Sequence, residues 1–334
     1  MEKILVAEPK LYSSHVLKKL SKYGDIEIAE NRQEFLNKIK NATIILGWVQ
    51  NKLDKQTIDA APRLAIIATA SAGVNHIDQE YAKSKGIIVL NAPGCNARAV
   101  AEHTLGLIIS LIRRIPFAFD DVRRGNWNPL GFEGYEMENK TLGLVGFGKV
   151  PKTLAEIVKG LGINAVAYDP YLTKKDIRNF DVGPVTLREL ICCSDIISLH
   201  TPLTVETRGF ISQERIEQMR DGVYIVNTSR GEIIDEEALL DYLRKGKIAG
   251  YACDVLVGEP PTNSAILTAL KENSVPNVIV TPHIAHATKE AFDNCGSVIA
   301  NQVKRVLDEK TNKKARLLED SISPLMMGST NHCF

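Results

Sequence analysis

Residues 141–150 read TLGLVGFGKV, and this stretch decides the fold. Leu142, Leu144, Val145 and Phe147 are interleaved with Gly143, Gly146 and Gly148, the pattern of a buried strand running into a tight turn. Glycine has no Cβ, so the backbone at Gly146 and Gly148 can approach a pyrophosphate. The helix that follows, beginning at Lys149 and Val150, directs its unpaired N–H groups and positive dipole end at the anion. A second apolar strand, Ile163 to Tyr168, ends in Asp169, about 20 residues past the glycines, where a carboxylate can accept bonds from a ribose. The third glycine of a G-x-G-x-x-G pattern is replaced by Pro151. A first helical turn tolerates proline, because the N–H it lacks would have no helical partner there. Strand, glycine turn and acid together predict a dinucleotide site. Asp169 favours NAD over NADP, since it would repel a 2′-phosphate and Pro170, Tyr171 and Leu172 include no arginine to bind one; Lys174 and Lys175 are the nearest cations.

Working outward, the first hundred residues alternate short apolar runs with helical patterns: KILVAE, Ser13 to Tyr23, IEIAE, Arg32 to Lys40, ATIILGW, LAIIATA and GIIVLNA. Such alternation means a parallel sheet covered on both faces, with ligands gathering at the carboxyl ends of its strands. The loop after LAIIATA, Ser71-Ala72-Gly73, is small and reads as a carboxylate nest. Ala97 to Arg114 is helical and so rich in apolar residues that it is expected at a domain or subunit junction. The turn-rich stretch RRGNWNPLGFEGYEMENKT then reads as a surface arm. Beyond the glycine turn, INAVAYD, DIISLH, VYIVNTS, IAGYACDV and NVIVTPH form a second doubly wound sheet. The last helical pattern is Thr288 to Leu307, and the tail from Lys310 lacks periodicity and is expected to be loosely ordered.

Composition narrows the function. The chain has 334 residues and a formal charge of +1, long enough for two domains and too balanced to favour nucleic acid or an anionic membrane. No apolar run approaches a membrane span or a signal peptide, so a cytoplasmic protein is expected. The cysteines at 95, 192, 193, 253, 295 and 333 include no C-x-x-C pair; they suggest neither zinc nor a disulfide framework and read as small buried hydrophobes. No metal is expected.

Three strand ends of the second sheet finish in polar motifs: NTSRG (227–231), DVLVGEPP (254–261) and TPHIAHAT (281–288). On parallel strands they would share one rim. Arg230, Glu259 and His283 would then supply an anion-binding fork, a carboxylate and an imidazole, a set suited to proton transfer beside a carboxylate substrate.

At these residues the sequence resembles the D-isomer-specific 2-hydroxyacid dehydrogenases, from about residue 40 to residue 305. The matching stretches are SAGVNHID, NAPGCNARAVAEHT, GLVGFGKV, HTPLTVETRGFI, NTSRGEIIDEEAL, DVLVGEP and TPHIAHAT. The resemblance implies that Arg230 binds the substrate carboxylate and carbonyl, that His283 exchanges the proton, and that Glu259 orients His283. Asp254 matches the residue that holds the nicotinamide amide. His200, Thr201, Pro202, Thr207, Thr228 and Ser229 match positions that line the cofactor, and Asn96 with Ser71, Ala72 and Gly73 match the substrate side. His286, also beside the cofactor by this match, stands where a small residue is common and reads as a helix-start residue rather than a second acid.

The resemblance further implies an arrangement in which a Rossmann NAD-binding domain, residues 98–287, is inserted into a flavodoxin-like substrate domain formed by 1–97 and 288–334. A homodimer built through Ala97 to Lys140 is expected. The implied reaction is NAD-dependent interconversion of a D-2-hydroxy acid and its 2-keto acid. Formate dehydrogenases carry a glutamine at the position of Glu259, and phosphite dehydrogenases a lysine at that of Ala72, so neither activity is expected. A nucleotide-sensing corepressor on the same fold would share the three site residues, but the long Pro/Ser-rich extension that would favour it is missing from this sequence. Phosphoglycerate dehydrogenases resemble the chain over much of its length, yet two of their phosphate-contacting arginines are Trp48 and Thr69 here. Losing those forks would forfeit several charge-assisted bonds of ~1.5–3 kcal/mol each, so a non-phosphorylated substrate is expected, with Arg98 and Lys52 as the remaining nearby cations.

Overall fold

The computed structural model describes residues 1–47 and 52–322, those from 310 onward by backbone alone. The chain forms two compact units, Met1–Asn96 joined by the chain from Thr288 onward, and Ala97–Ala287.

In the first unit β1 (Glu2–Val6), β2 (Gly24–Ile28), β3 (Ile44–Leu46), β4 (Ile66–Thr69) and β5 (Ile88–Asn91) form an all-parallel sheet in the order β2-β1-β3-β4-β5. Successive side chains of a strand point to opposite faces, which is why both faces must be apolar when helices cover both. Leu5, Ile45 and Ile67 face one side and pack with Phe35, Ile39 and Ile58. Ile4, Val6, Ile44, Leu46 and Ile66 face the other and pack with Val16, Leu20, Ile299 and Val303, so the helix Lys289–Ile322 returns the chain to this sheet. Its backbone is helical to Ile322, where the first part of the expected loosely ordered tail lies; the helical hydrogen-bond ladder does not require apolar periodicity, and residues 323–334 of that tail lie outside the described residues. Short helices start on side-chain caps: Asn31 accepts from Glu34 N–H, and Asp54 from Thr57 N–H.

Contrary to the expectation, the cysteines are not all unbonded buried hydrophobes in either unit. Cys95, just after β5, and Cys295, on the returning helix, form a disulfide with their Cα atoms 5.1 Å apart. They lie 200 residues apart in sequence, and only the fold brings them together. Cys192 and Cys193 are exposed rather than buried, whereas Cys253 is buried and its thiol is pushed up to about 12 by that burial. Cys333 lies outside the described residues.

The second unit holds β6 (Thr141–Val145), β7 (Asn164–Tyr168), β8 (Gly183–Pro184), β9 (Ile196–Leu199), β10 (Val223–Asn227), β11 (Ile248–Cys253) and β12 (Val278–Val280). All are parallel, in the order β12-β11-β10-β9-β6-β7-β8. From β6 the sheet grows outward through β7 to β8, then resumes on the other side with β9. The carboxyl ends of β6 and β9 therefore flank a topological switch point, where α/β folds open a crevice. The helix Ala97–Ile112 owes its apolar character to this sheet: Ala101, Leu107, Ile108, Leu111 and Ile112 are buried against Leu142, Leu144, Ile196, Val226 and Ala252. A left-handed Arg114 (φ 55°) separates it from a second helix, Ile115–Arg123, which the sequence pattern did not reveal. On the other face Ile197, Leu199, Ile225 and Tyr251 pack with Leu190, Ile216, Leu239 and Leu243. Each such fully buried aliphatic side chain contributes about 1.5–3 kcal/mol. The fold class expected from the sequence, two doubly wound parallel sheets, is the one observed.

Candidate active site

The glycine turn is built from backbone. After Val145 the chain passes through Gly146 at φ 84°, a conformation other residues rarely adopt, and a Cβ there would lie 2.9 Å from the His200 carbonyl oxygen. Gly148 caps the helix Lys149–Val158 without any side-chain hydrogen bond, and the space where its Cβ would sit is open. Pro151 is buried in the first turn of this helix, where its missing N–H costs no helical bond. Asp169 reaches the turn from the end of β7: Phe147 N–H donates to Oδ2 and Tyr171 N–H to Oδ1, both at 2.9 Å. Each carboxylate oxygen keeps a lone pair for a ribose hydroxyl.

Across the switch point, the end of β9 carries His200 and Thr201. Desolvation pushes the His200 imidazole down to about 3, and its Nε2 lies 2.9 Å from Ser198 Oγ. The Thr201 hydroxyl oxygen is buried with no partner among the described residues. Thr207 ties the following loop, donating to Pro202 O at 2.6 Å and accepting from Thr204 N–H at 2.7 Å. An uncapped helix start, an open space over Gly148, an anchored carboxylate and an orphaned hydroxyl fit a dinucleotide, with Gly146, Gly148, Asp169 and Thr201 as the residues to hold it.

The second cluster comes from three adjacent strands, β10, β11 and β12, as their shared direction requires. The turn after β10 is folded around Asn227, fully buried, whose Oδ1 accepts from Ser229 N–H (3.0 Å) and Ser229 Oγ (2.7 Å) while Nδ2 donates to Arg230 O (2.8 Å). Gly231 then lets the backbone after β11 cross it closely: a Cβ would meet the Leu256 carbonyl carbon at 2.2 Å. This brings the turn bearing Arg230 against the turn bearing Glu259. Glu259 Oε1 accepts from Leu256 N–H at 3.0 Å, and Oε2 makes a short hydrogen bond with His283 Nδ1.

The pair is electrostatically matched. The hydrogen bond that His283 donates to Glu259 raises the pKa of His283; burial opposes this, while the charges of Glu259 and Asp254 add to it and that of Arg230 subtracts. Burial works against ionisation of Glu259, but the hydrogen bond and charge of His283, the Leu256 N–H and the charge of Arg230 outweigh it and hold the carboxyl below the usual glutamate range. With Nδ1 engaged by Glu259, Nε2 is the nitrogen left for other chemistry. His283 itself has φ 56°, in the left-handed region. His286 lies beside it, ring centroids 5.8 Å apart and edge to face, and burial followed by the charge of His283 lowers its pKa.

Beneath this cluster Asp254 and Thr228, both expected on the cofactor side, belong to a polar network with Thr281, His103 and Thr104, to which the sequence assigned no role. Asp254, almost fully buried, accepts from Thr281 Oγ1 (2.5 Å), Ile284 N–H (2.9 Å) and Ala285 N–H (2.7 Å). His103 Nε2 lies 3.0 Å from Thr281 Oγ1, and the next residue, Thr104, places its hydroxyl 2.9 Å from that of Thr228. Both belong to the apolar helix Ala97–Ile112, and the available signal was a His-Thr pair in a helix otherwise explained by burial. No group of three or more His, Cys, Asp or Glu suited to a metal occurs among the described residues.

The residues matched to the substrate side lie in the first unit. Ser71 Oγ donates to Gly73 O (2.7 Å) and lies 2.9 Å from Thr69 Oγ1; Asn91 Nδ2 donates to Ala72 O (2.7 Å). The Ser71-Ala72-Gly73 loop is thus held from both β4 and β5. Thr69 is fully buried and serves the loop through its hydroxyl. Asn96 is half-buried beside the Cys95 disulfide. Trp48 lies outside the described residues, and Arg98 is paired with Glu102.

Residues 105–285 match the family model described as D-isomer specific 2-hydroxyacid dehydrogenase, NAD binding domain. The chain is 39% identical over 310 residues to the D-3-phosphoglycerate dehydrogenase of Methanocaldococcus jannaschii, covering 92% of this chain and 58% of that protein. It is 35% identical over 304 residues to the enzyme of the same name from Bacillus subtilis, covering 56% of it. The chain therefore spans a little over half the length of these curated relatives. Among solved structures, D-lactate dehydrogenase from Aquifex aeolicus complexed with NAD and lactic acid superposes with a TM-score of 0.79 at 30% identity, covering 92% of this chain and 96% of that one. An acyclic imino acid reductase in complex with NADPH and D-Arg superposes at 0.78 with 28% identity, covering 93% and 98%. With a glycine turn, a ribose-side acid and an arginine, glutamate and histidine on three adjacent strand ends, the chain belongs to the D-isomer specific 2-hydroxyacid dehydrogenase family.

Proposed function

We propose that the protein interconverts a D-2-hydroxy acid and its 2-keto acid, using NAD. The observation that carries this reading is the His283–Glu259 pair, with the charge of Arg230 acting on both members. Bound NAD supplies the hydride acceptor, and its reduced form the donor. The chain's own residues manage the proton and the carboxylate. His283 in its imidazolium form gives a proton from Nε2 to the keto oxygen during reduction, and in its neutral form removes one from the hydroxyl during oxidation. Glu259 favours the imidazolium and fixes the ring. Arg230 grips the substrate carboxylate with its planar fork and polarises the carbonyl.

The substrate we propose is small and non-phosphorylated. Thr69 is buried and hydrogen-bonded within its loop, so it offers a phosphate nothing comparable to a guanidinium. The similarity to proteins named D-3-phosphoglycerate dehydrogenase favours the second reading, 3-phosphohydroxypyruvate. Oxidation of NADH should be followed with glyoxylate, hydroxypyruvate, pyruvate, a branched 2-keto acid and 3-phosphohydroxypyruvate. The highest kcat/KM on a non-phosphorylated acid is the expected result; preference for the phosphorylated one would transfer the assignment to the second reading. Negligible turnover of all five with tight NADH binding would point instead to a nucleotide sensor.

We also infer a homodimer formed through the helix Ile115–Arg123 and the arm that follows it. Phe119, Trp127, Leu130 and Tyr135 are all strongly exposed there, a concentration of aromatic and aliphatic surface that a lone chain rarely presents. Light scattering should give twice the chain mass, and Trp127→Glu with Leu130→Glu should give monomer. A wild-type monomer at assay concentrations would refute the inference.

A further inference from the structure

We propose that His103 is a positioning residue for the proton-transfer histidine, acting through Thr281 and Asp254; this rests on the reading of His283 given above. The Thr281 hydroxyl has a single proton. Asp254 Oδ1, 2.5 Å away, can only accept, so that proton points to Asp254. The hydroxyl oxygen must then act as acceptor toward His103 Nε2 at 3.0 Å, which means that Nε2 carries the ring proton. The chain of donation runs from His103 to Thr281 to Asp254. Nε2 is also only 3.6 Å from Asp254 Oδ1, so any positive charge on His103 would reinforce the same arrangement.

Asp254 grips the turn on both sides of His283. Its backbone carbonyl accepts from His283 N–H at 2.9 Å, and its carboxylate accepts from Ile284 N–H at 2.9 Å and Ala285 N–H at 2.7 Å. These bonds hold His283 at φ 56°, a conformation that is strained for a residue with a Cβ and would relax if released. Thr281 has a second acceptor within reach, the Cys253 carbonyl at 3.4 Å. Without the His103 donor the hydroxyl is free to turn toward it, and Asp254 loses one of the bonds that orient its carboxylate. His103 thus fixes the direction of a carboxylate, and the carboxylate fixes the backbone from which the acid–base imidazole projects.

Two measurements test this. In protein labelled with nitrogen-15 at histidine and held above the ordinary histidine titration range, the His103 resonances, assigned by their loss in His103→Gln, should show the proton on Nε2; a proton on Nδ1 overturns the proposal. In the keto-acid assay, His103→Leu should lower kcat about tenfold, because the reacting geometry is disturbed. His103→Gln, which keeps a donor at a similar reach, should recover to within about threefold of wild type, and adding Thr281→Val to His103→Leu should cost no more than Thr281→Val alone. Unchanged kcat in His103→Leu, or a loss that Gln fails to rescue, overturns the proposal. If the wild-type protein turns over no keto acid, the functional reading fails, and the nitrogen-15 measurement still decides the role of His103.

Discussion

The two halves of the second sheet's carboxyl rim solve their tasks in opposite ways. Around β6 and β7 the site is made largely of backbone: Gly146, Gly148 and the start of one helix, with the Asp169 carboxylate anchored beside them. Around β10 to β12 it is made of side chains delivered by three separate loops and held by buried hydrogen bonds that Asn227 makes and the Asp254 carboxylate accepts. A site of backbone is local and depends on what is absent, the Cβ. A site of side chains is assembled over long sequence distances and depends on support. The two halves should therefore respond differently to substitution.

The largest difference is expected for His283→Gln. Removing the proposed proton donor should lower kcat/KM for the keto acid by about 10³-fold, within the usual range for general acid catalysis. NADH affinity, measured by quenching of protein fluorescence, should change by less than about threefold. A parallel loss of NADH binding would show that the two halves are not separable.

Next come two glycines that look alike in the sequence. Gly146→Ala meets both a positive φ and the His200 carbonyl, so it should cost the fold about 1–3 kcal/mol and lower Tm by several degrees. Gly148→Ala has an ordinary φ of −78° and meets nothing in the protein, so Tm should stay within about 2 °C. Its methyl group instead enters the space left for a pyrophosphate, and NADH affinity should fall roughly 10–100-fold. Equal Tm losses in the two variants would remove the distinction.

This contrast also explains what could be read from the sequence. The strand, glycine turn and Asp169 lie within thirty residues, and each has a residue type that the geometry demands. The parallel sheets followed from alternation, because a run such as Ile66 to Ala68 must be apolar on both faces; the strand orders did not. Arg230, Glu259 and His283 were visible as polar motifs at strand ends and by resemblance. Their supports were not: Asn227 looked like one letter of a motif, and His103 lay in a helix whose character is set by burial. The Cys95–Cys295 disulfide was illegible for the same reason, since no spacing rule connects a loop after β5 to a helix 200 residues later.

A smaller effect is expected at Asp169. Its oxygens anchor the Phe147 and Tyr171 N–H groups, so Asp169→Asn keeps an acceptor for one of them while removing the charge. The preference for NADH over NADPH should narrow roughly tenfold, mostly through better NADPH use. If the ratio of kcat/KM values stays unchanged, the discrimination resides elsewhere, with Lys174 and Lys175 at the start of the next helix the residues to examine.

The smallest effect at neutral pH, and the sharpest test of the side-chain half, is expected for Glu259→Gln. Glu259 raises the pKa of His283 chiefly by its hydrogen bond and also by its charge. In the proposed mechanism reduction requires the imidazolium, so the wild-type rate should be full below the raised pKa and fall as pH rises through it. Glutamine keeps an acceptor for Nδ1 but removes the charge, which lowers the imidazole pKa and moves that fall to lower pH. Wild type and variant should thus reduce the keto acid at similar rates on the acid side, and their ratio should widen as pH rises. Oxidation uses the neutral imidazole, so its rise with pH should move the same way in the variant. A profile of kcat/KM against pH, taken in both directions, checks both shifts. If activity is retained and neither limb moves, Glu259 does not tune His283, and the electrostatic match within the pair is only a feature of packing.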